Sequence, residues 1–526
     1  MARPDPHSVF DDAQPRVQRI DWRARFDFAA RVIEAEATLV IDGSGGDWLD
    51  LDARDLVIER VVDESGGRLD FELGAPRPFV GQRLRIARPP AVVCIRYRTS
   101  PAALALHWSN QSPQWSNQFV YSQCQPIYAR SLVPLPDSPS ARIAWRAALT
   151  APRMLTALMA GTRGERREAG EEATTTYETS EPVAPYLFAF AVGDFVAREL
   201  SPRSRVWAAP ALVHDAARAL ADIERWLAEA ERLFGAYPWG RFDLLIAPPS
   251  FPYGGMENPR LAFLSPTLVA DREELWRVVA HELAHAWSGN LVTAASAEHF
   301  WLNEAFTVWG ERRLIAALVG HERAQQLAAD GRRALAAALA AFGAHPERTR
   351  LHTALDGVDP DEGLSIIPYE KGYLVLRAIE AALGADAFGG FARAYFERFA
   401  WRSITTDDLR AFAAGYAPRL PFDEWFDQSG WPPAAVADEE APPPAAAAAL
   451  PENWLNQLRS GRLQLLRPIY LALCRQPERR AEAARLYRQH RDGYHPIARQ
   501  QLERLFREQG VAIEEVKPLG LGRRPT

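Results

Sequence analysis

The sequence predicts a multidomain α+β protein with a strand-rich N-terminal part, a mostly helical middle part and a short helical C-terminal part. Three observations lead to this prediction. The chain has 526 residues, more than one hydrophobic core normally supports, so two to four domains are expected. Hydrophobic and polar residues alternate from about residue 20 to 199, whereas helical spacing dominates from about residue 209. A segment rich in proline and alanine then precedes the last helical stretch.

The first domain, residues 1–199, is predicted to be a β domain. Alternation is clear in Arg25–Ala29 and in Glu36–Asp42. Glycine and aspartate turns follow at short intervals, as in residues 42–46. Many short strands in succession favour a sandwich-like arrangement or a curved, saddle-like sheet.

The second domain, residues 200–432, is predicted to be mostly helical. Helical runs rich in alanine, leucine and arginine occur at 215–235, 272–287 and 303–320. Residues 433–451 contain three consecutive prolines and five consecutive alanines. We expect an extended linker there, because proline cannot continue a helix. Residues 452–526 are predicted to form a short C-terminal helical domain.

The composition is that of an ordinary globular protein. The net charge of -6 gives no indication of a nucleic-acid or membrane partner. The three cysteines, Cys94, Cys124 and Cys474, lie far apart, which argues against a disulfide framework and a thiolate metal site. No signal peptide and no run of about 18 apolar residues is found, so a cytoplasmic location is expected. The oligomeric state is left open.

Two histidines and a glutamate have the spacing of a zinc site. His281 and His285 are four positions apart on the predicted helix 272–287, so both imidazoles lie on one face and can bind one ion. A catalytic zinc ion needs a third protein ligand, and Glu304 follows at the start of the next predicted helix. The sequence therefore predicts one zinc ion per chain.

Glu282 lies beside the first of these histidines and is offset from the metal-binding face. A general base needs this position to take a proton from a water that zinc activates. Such a five-residue match can arise by chance on an amphipathic helix. The additional Glu304, at the start of its own helix, argues against chance.

Several motifs resemble the M1 (gluzincin) family of zinc aminopeptidases. Gly-Gly-Met-Glu-Asn at 254–258 is similar to that family's exopeptidase motif. Within the family the chain is most similar to the branch of leukotriene A4 hydrolase and its bacterial aminopeptidase relatives. The segments that carry this similarity are 122–125, 248–253, 289–293, 299–304, 368–372 and 403–408. The resemblance covers about residues 20–430 well and the tail weakly, and it implies a thermolysin-like catalytic domain.

The resemblance implies substrate-binding roles for residues near the zinc. Gly254 and Gly255 let the backbone approach a ligand closely, and Glu257 is implied to pair with the α-ammonium group of a peptide. Gln123 and Gln125 are implied to lie near the same pocket. Taken alone, Glu257 could be a solvated loop acid, and each glutamine could be a plain strand residue.

Further residues receive roles from the same resemblance. Tyr369 is implied to donate a hydrogen bond to the oxyanion that forms during hydrolysis. Glu311 could bond a zinc-ligand histidine or pair with a surface arginine. Tyr253 and Phe300 could line the side-chain pocket or belong to the core. His299 is interpreted as a structural histidine and not as a ligand.

Four positions bear on epoxide hydrolysis, the second reaction of that branch. Asp361 matches an acid used in that reaction, and Arg462 matches an arginine that holds a substrate carboxylate, although it could be an exposed helix residue. Leu364 stands where the branch has a further tyrosine, and Gln464 where it has a lysine. These two departures favour peptide hydrolysis.

The predicted function is therefore a zinc-dependent aminopeptidase that hydrolyses the N-terminal residue from peptides. Glu282 is the expected general base and Tyr369 the expected oxyanion stabiliser. The alternatives are an epoxide hydrolase that uses the same metal site, an endopeptidase with no use for Glu257, and a non-catalytic scaffold.

Overall fold

β-Strands make up most of the chain up to Ala208. The computed structural model describes residues 5–42, 46–109, 118–432, 458 and 462–513, so the predicted linker 433–451 lies outside the described residues. The strands are β1 Arg16–Asp27, β2 Val32–Asp42, β3 Trp48–Ala53, β4 Val57–Asp63, β5 Phe71–Leu73, β6 Gln82–Ala87, β7 Val92–Arg98, β8 Leu106–Ser109, β9 Phe119–Ser122, β10 Ile143–Pro152, β11 Thr156–Met159, β12 Thr162–Ala169, β13 Glu172–Val183, β14 Phe190–Gly193, β15 Val196–Ser201 and β16 Ser204–Ala208.

Three sheets are built from β1 to β14. The largest has the order β12-β13-β10-β1-β2-β7-β4, and the others have the orders β11-β14-β9-β8 and β3-β6-β5. In the largest sheet β1 pairs in parallel with β10, and every other pair is antiparallel. Ile20, Trp22 and Ala24 on β1 are buried, whereas Arg23 and Arg25 are exposed. The alternation in the sequence thus reflects one buried sheet face.

A five-stranded sheet continues from the β part into the helical part. Its order is β15-β16-β17-β19-β18, with β17 at Asp243–Ile246, β18 at Gly255–Met256 and β19 at Leu261–Leu264. A small sheet pairs β20, Val292–Ala294, with β21, Arg402–Ile404. β18 ends one residue before Glu257, so the sheet fixes the path of the chain into that residue.

The helices of the middle part of the chain surround one buried helix, α4. The helices are α1 Val213–Ala219, α2 Ile223–Phe234, α3 Arg272–Ala284, α4 Trp301–Leu318, α5 His321–Ala341, α6 Ile366–Leu383, α7 Ala385–Phe399, α8 Thr406–Tyr416 and α9 Phe422–Asp427. α4 packs against α2, α3, α5 and α6. Apolar residues occur on all sides of α4, as expected for a helix inside a core.

The observed helices differ from the predicted ones mainly at their ends. The predicted helix 215–235 is two helices, α1 and α2, with a turn at residues 220–222. Leu220 and Ile223 are both buried, so the apolar periodicity continues across the turn and hides it. α3 ends three residues earlier than predicted, and α4 begins two residues earlier.

The chain forms two compact units. One comprises Met1–Pro248 and Gly255–Ala445, and the other comprises Pro249–Gly254 and Ala446–Thr526. The helices of the second unit are α10 Leu463–Arg475, α11 Arg480–His490 and α12 Pro496–Glu508. They enclose an apolar core that includes Leu466, Tyr470, Tyr487, Leu502 and Phe506. Within the described residues, no helix has the length and apolar character needed to cross a membrane.

Candidate zinc centre and active site

Helix α3 presents the two histidines at its C-terminal end. The helix begins at a favourable N-cap, since the Asp271 side chain accepts a hydrogen bond from the Glu274 N–H at 3.1 Å. Leu275, Val279 and Leu283 are buried and hold one face of the helix against the core. His281 lies in the last turn and His285 is the C-cap residue, so both imidazoles lie on the same side, one turn apart.

The candidate ligand atoms have the separations that a tetrahedral zinc ion requires. His281 Nε2 lies 3.2 Å from His285 Nε2, and Glu304 Oε2 lies 3.4 Å and 3.6 Å from these two atoms. Two ligands that each lie about 2.0–2.1 Å from a tetrahedral zinc ion are about 3.3–3.4 Å apart. Glu304 Oε2 is buried and has no hydrogen-bond donor among the described residues. The donor set and its spacing therefore fit one zinc ion.

Hydrogen bonds at Nδ1 of His281 and His285 leave the Nε2 atom of each ring as an acceptor. His285 Nδ1 donates to the Ser288 carbonyl oxygen at 2.8 Å, and His281 Nδ1 donates to Glu311 Oε2 at 2.9 Å. Because a carbonyl or carboxylate oxygen can only accept, the proton must be on Nδ1 in each ring. Two Nε2 lone pairs thus point towards the same place, which is the arrangement that a cation stabilises.

Two residues behind the histidines were not identified from the sequence. Thr307 Oγ1 lies 3.1 Å from His285 Nδ1. Arg277 forms a bidentate pair with Glu274 and lies 3.7 Å from Glu311 Oε1. Arg277 is four positions before His281, so helical spacing could have placed it on the same face. Glu311 is buried and contacts both His281 and Arg277, so it bonds a candidate zinc-ligand histidine and its ion pair with an arginine is not a surface pair.

Glu282 lies against the segment of the GGMEN motif. It is buried, and a Cβ atom added to Gly255 would lie only 2.2 Å from Glu282 Oε1. A residue with a side chain at position 255 would therefore displace the carboxylate. Burial, with a further contribution from the Glu304 carboxylate, raises the pKa of Glu282 to about 8. His281 and Arg277 oppose this increase.

Glu257 is the third carboxylate of the site. Oxygen and nitrogen atoms of Glu257, Glu282 and His285 lie within 4.8 Å of one another. Burial, reinforced by the Glu282 and Glu304 carboxylates, raises the pKa of Glu257 well above its usual value. A cation is therefore the natural partner for this group of buried acids.

The two glutamines contact different residues of the same segment. Gln125 Nε2 lies 3.5 Å from Glu257 Oε1, at the outer limit of a hydrogen bond. The Gln123 side chain instead donates to Met256 Sδ at 3.1 Å, and its backbone N–H donates to Ala105. Gln125 thus lies beside the candidate ammonium site, whereas Gln123 supports the residue that precedes Glu257.

Tyr369 lies beside the first histidine. It is in the first turn of α6, whose N-cap Ser365 accepts a hydrogen bond from the Ile367 N–H. Its ring stacks on His281 with a centroid distance of 6.0 Å, and its centroid lies 6.1 Å from that of Phe300. The stacking brings the phenol next to the candidate metal ligands.

The remaining candidate residues divide between the two units. Asp361 is buried in the first unit and accepts a hydrogen bond from the Tyr128 hydroxyl at 2.6 Å. Tyr253, Gly254 and Arg462 belong to the second unit, where Tyr253 packs against the apolar core. Arg462 is buried as the residue before α10, so it is not an exposed helix arginine. The side chain of Gln464 lies outside the described residues.

His299 has its own partners, away from the candidate ligands. Its Nδ1 accepts a hydrogen bond from the Thr406 N–H at 3.2 Å and lies 3.0 Å from Thr406 Oγ1. Its ring stacks on His352 at a centroid distance of 4.8 Å. These contacts agree with the interpretation of His299 as a structural residue.

Comparisons with known proteins agree with this arrangement. Residues 219–418 match the peptidase family M1 domain, residues 102–187 match the peptidase M1 N-terminal domain, and residues 445–506 match the C-terminal domain of leukotriene A4 hydrolase. The chain is 36% identical over 451 residues to leukotriene A-4 hydrolase of Xenopus laevis, which covers 82% of this chain and 74% of that protein. It is 40% identical over 330 residues to aminopeptidase B of Homo sapiens, covering 60% of this chain and 50% of that protein.

Solved structures show the same fold over most of the chain. Yeast leukotriene A4 hydrolase in complex with bestatin matches with a TM-score of 0.85 and 27% identity, covering 96% of this chain and 97% of that chain. An M1 zinc metallopeptidase of Deinococcus radiodurans matches in fold, with a TM-score of 0.63 and 21% identity over 80% of this chain and 96% of that chain. These matches confirm the predicted fold class and the predicted catalytic zinc ion. The chain therefore belongs to peptidase family M1, a family of zinc-dependent peptide hydrolases.

Proposed function

We propose that the chain is an aminopeptidase that removes the N-terminal residue from peptides, with zinc held by His281, His285 and Glu304. The observation that carries the proposal is the buried Glu257 carboxylate beside Glu282 and His285. A buried acid this close to a metal site can pair with the free α-ammonium group of a substrate. Such pairing restricts cleavage to the first peptide bond, because the scissile carbonyl belongs to the same residue as the free amino group.

Each side chain of the site has a proposed role in the reaction. When bound, zinc acidifies a water and polarises the scissile carbonyl. Glu282 accepts a proton from the attacking water and returns it to the leaving amine. Tyr369 donates its phenol O–H to the carbonyl oxygen as negative charge develops on it. Glu257 accepts hydrogen bonds from the substrate ammonium group, and the Gln125 carbonyl oxygen can accept another.

Hydrolysis of aminoacyl-anilides tests the proposal. We expect Glu282→Gln to lower kcat by at least about a hundredfold while zinc content stays at one per chain, because the base is lost and the ligands remain. We expect Glu257→Gln mainly to raise KM. Unchanged turnover in Glu282→Gln would contradict the proposed role of Glu282 as the general base and with it the proposed mechanism. Full activity of the wild type on N-acetylated substrates would instead indicate an endopeptidase.

Epoxide hydrolysis is a second candidate, favoured by the buried Asp361 and its bond from the Tyr128 hydroxyl. It would use the same zinc ion with a lipid epoxide as substrate. The measurement is diol formation from an epoxy fatty acid by the wild type and by Asp361→Asn. Diol formed at a rate comparable to anilide hydrolysis, and lost in the variant, would favour this candidate.

A further inference from the structure

Asn290 joins the turn after the zinc-ligand helix to the segment that carries Glu257. Its backbone N–H donates to the carbonyl oxygen of His285 at 3.1 Å. Its side-chain Nδ2 donates to the carbonyl oxygen of Glu257 at 2.7 Å. The residue is 2% exposed, so water does not compete for these bonds. One residue therefore links the backbone of a candidate metal ligand directly to the backbone of the candidate ammonium-binding acid.

The turn that carries Asn290 is closely held against His285. Gly289 has a φ of +105°, which favours glycine, and a Cβ atom there would lie 2.9 Å from His285 Nδ1. Two backbone bonds close the turn, from Gly289 N–H to Val292 and from Val292 N–H to Trp287. The turn therefore fixes where the Asn290 amide lies relative to the histidine.

A half-buried arginine holds the other side of Asn290. Arg142 Nη2 donates to the Asn290 carbonyl oxygen at 2.7 Å, and its Nε donates to the Pro182 carbonyl oxygen at 3.0 Å. The arginine thereby ties the turn to the β part of the same unit. With both its backbone groups bonded, Asn290 has little freedom to follow Glu257 if that segment moves.

We propose that Asn290 is a positioning residue that sets the distance between Glu257 and the zinc ligands, and so helps to define cleavage after the first residue. This inference rests on the proposed aminopeptidase function. The Oδ1 atom of Asn290 has no hydrogen-bond partner among the described residues, so only its donor is used. Losing the donor frees the Glu257 backbone, and the carboxylate then no longer meets an ammonium group and the metal at fixed spacing.

The test uses two variants and one matched control. Asn290→Asp keeps the size of the side chain but replaces the donor with an acceptor that faces the Glu257 carbonyl oxygen. Asn290→Ala removes the group and serves if the aspartate variant fails to fold. Gln14→Glu is the control, because Gln14 is also a buried amide that donates to a backbone carbonyl, that of Asp50 at 3.0 Å, in the β part.

The measurement is the inhibition constant of two hydroxamates on the zinc-loaded full chain. L-leucine hydroxamate carries the α-amino group, and 4-methylpentanohydroxamate lacks it. The inhibition constant of the des-amino compound divided by that of L-leucine hydroxamate is therefore a ratio that reports ammonium recognition alone. We expect the Asn290 variants to lower this ratio at least about tenfold, with the constant for the des-amino compound, zinc content and Gln14→Glu unchanged. KM for leucyl-anilide should rise by a similar factor while kcat changes little.

The outcomes separate this inference from the function on which it rests. If Glu257→Gln removes the amine preference and the Asn290 variants keep it, the inference is wrong and the proposed function stands. If the Asn290 variants weaken both hydroxamates equally, Asn290 is merely structural and the inference is again wrong. If Glu257→Gln leaves the ratio unchanged, the proposed function itself fails.

Discussion

The two candidate zinc histidines are held from behind by different kinds of acceptor. His285 Nδ1 donates to the Ser288 carbonyl oxygen, which belongs to the turn that follows α3. His281 Nδ1 donates to the Glu311 carboxylate, which comes from α4. A carboxylate behind an imidazole raises its basicity as a ligand, so Glu311 should contribute to metal affinity and not only to orientation.

This difference predicts weaker zinc binding in Glu311→Gln. The amide can still accept from His281 Nδ1 but lacks the negative charge, so we expect the zinc dissociation constant to rise by about ten- to a hundredfold. Competition with a chromophoric chelator measures the constant. Glu274→Gln is the control. It removes the same charge from the same region, but the bonds described above join Glu274 to Arg277 and not to a histidine. Equal affinities in the two variants would contradict the prediction.

His299 provides a prediction about acid stability. Burial lowers the pKa of His299 to about 3, with His352 adding to the effect and Asp408 opposing it. In the unfolded chain its pKa is about 6.5, so between these values the folded state binds fewer protons at this residue. The contribution of the neutral His299 to the free energy of unfolding is therefore fully present above pH 6.5 and is lost as the pH falls towards 3.

Replacing His299 should flatten this acid dependence. We expect the free energy of unfolding of His299→Gln to fall less steeply with decreasing pH than that of the wild type between about pH 6.5 and 4. The difference between the two slopes should correspond to the uptake of up to about one proton on unfolding. Denaturant titrations at several pH values give the slope. His214→Gln, at an exposed histidine, is the control for the substitution itself. Parallel curves for His299→Gln and the wild type would show that the histidine does not titrate in this way.

At the scale of elements, the zinc site depends on how closely α4 approaches α2 and α3. Gly310 lies in the middle of α4, and a Cβ atom there would lie 2.5 Å from the Phe234 ring and 3.2 Å from Ala284 Cβ. Phe234 belongs to α2, and Ala284 immediately precedes His285 on α3. A small residue at this position therefore lets the helix that carries Glu304 approach the helix that carries the histidines.

We expect Gly310→Ala to destabilise the protein, although alanine is the better helix former. Overlap with Phe234 should cost about 1–3 kcal/mol, more than the ~1 kcal/mol gained from helix propensity. Gly390→Ala in α7 is the matched control, because a Cβ atom there meets nothing within 4 Å. Denaturant unfolding should show the control to be slightly more stable than the wild type. A stabilised Gly310→Ala would contradict the close approach of the helices.

Local patterns in the sequence explain which parts of the site could be predicted. The fold class was predictable, because strand alternation and helical periodicity can each be recognised within a short stretch of sequence. The candidate ligands were predictable for the same reason, since His281 and His285 are one helical turn apart. The contacts of Asn290 with Glu257 and with Arg142 were not, because they join segments 33 and 148 positions apart with no local signal. Tyr253 was ambiguous because an aromatic residue suits a pocket and a core equally.

At the scale of the whole molecule, the candidate ligands come from two helices, so zinc acts as a cross-link. The ion would join α3 to α4. In the unfolded chain the three ligands are not held together, so the unfolded chain would bind zinc less tightly than the folded one. A ligand that binds only the folded state stabilises it by about 4 kcal/mol at a thousand times its dissociation constant. The metal should thus contribute to stability as well as to catalysis.

Removal of zinc should therefore lower both activity and Tm. We expect 1,10-phenanthroline to abolish anilide hydrolysis and to lower Tm by several degrees, with both restored by added zinc. Activity assays and calorimetry on the same sample check the two effects. The non-chelating 1,7-phenanthroline is the control. Loss of activity with an unchanged Tm would show that the ion does not join the two helices in a way that stabilises the fold.

The second unit is assembled from two separated stretches of chain, and this has a consequence for the order of synthesis. The Pro252 carbonyl oxygen accepts a hydrogen bond from the Leu463 N–H at 2.7 Å, and Tyr253 packs on a core formed by residues 458–511. A ribosome makes residues 249–254 some two hundred positions before these partners. Residues 249–254 must wait for the last helices before the apolar core on which Tyr253 packs is complete. In a nascent chain the Tyr253 ring would therefore stay without its apolar partners until the helices of the second unit have been made.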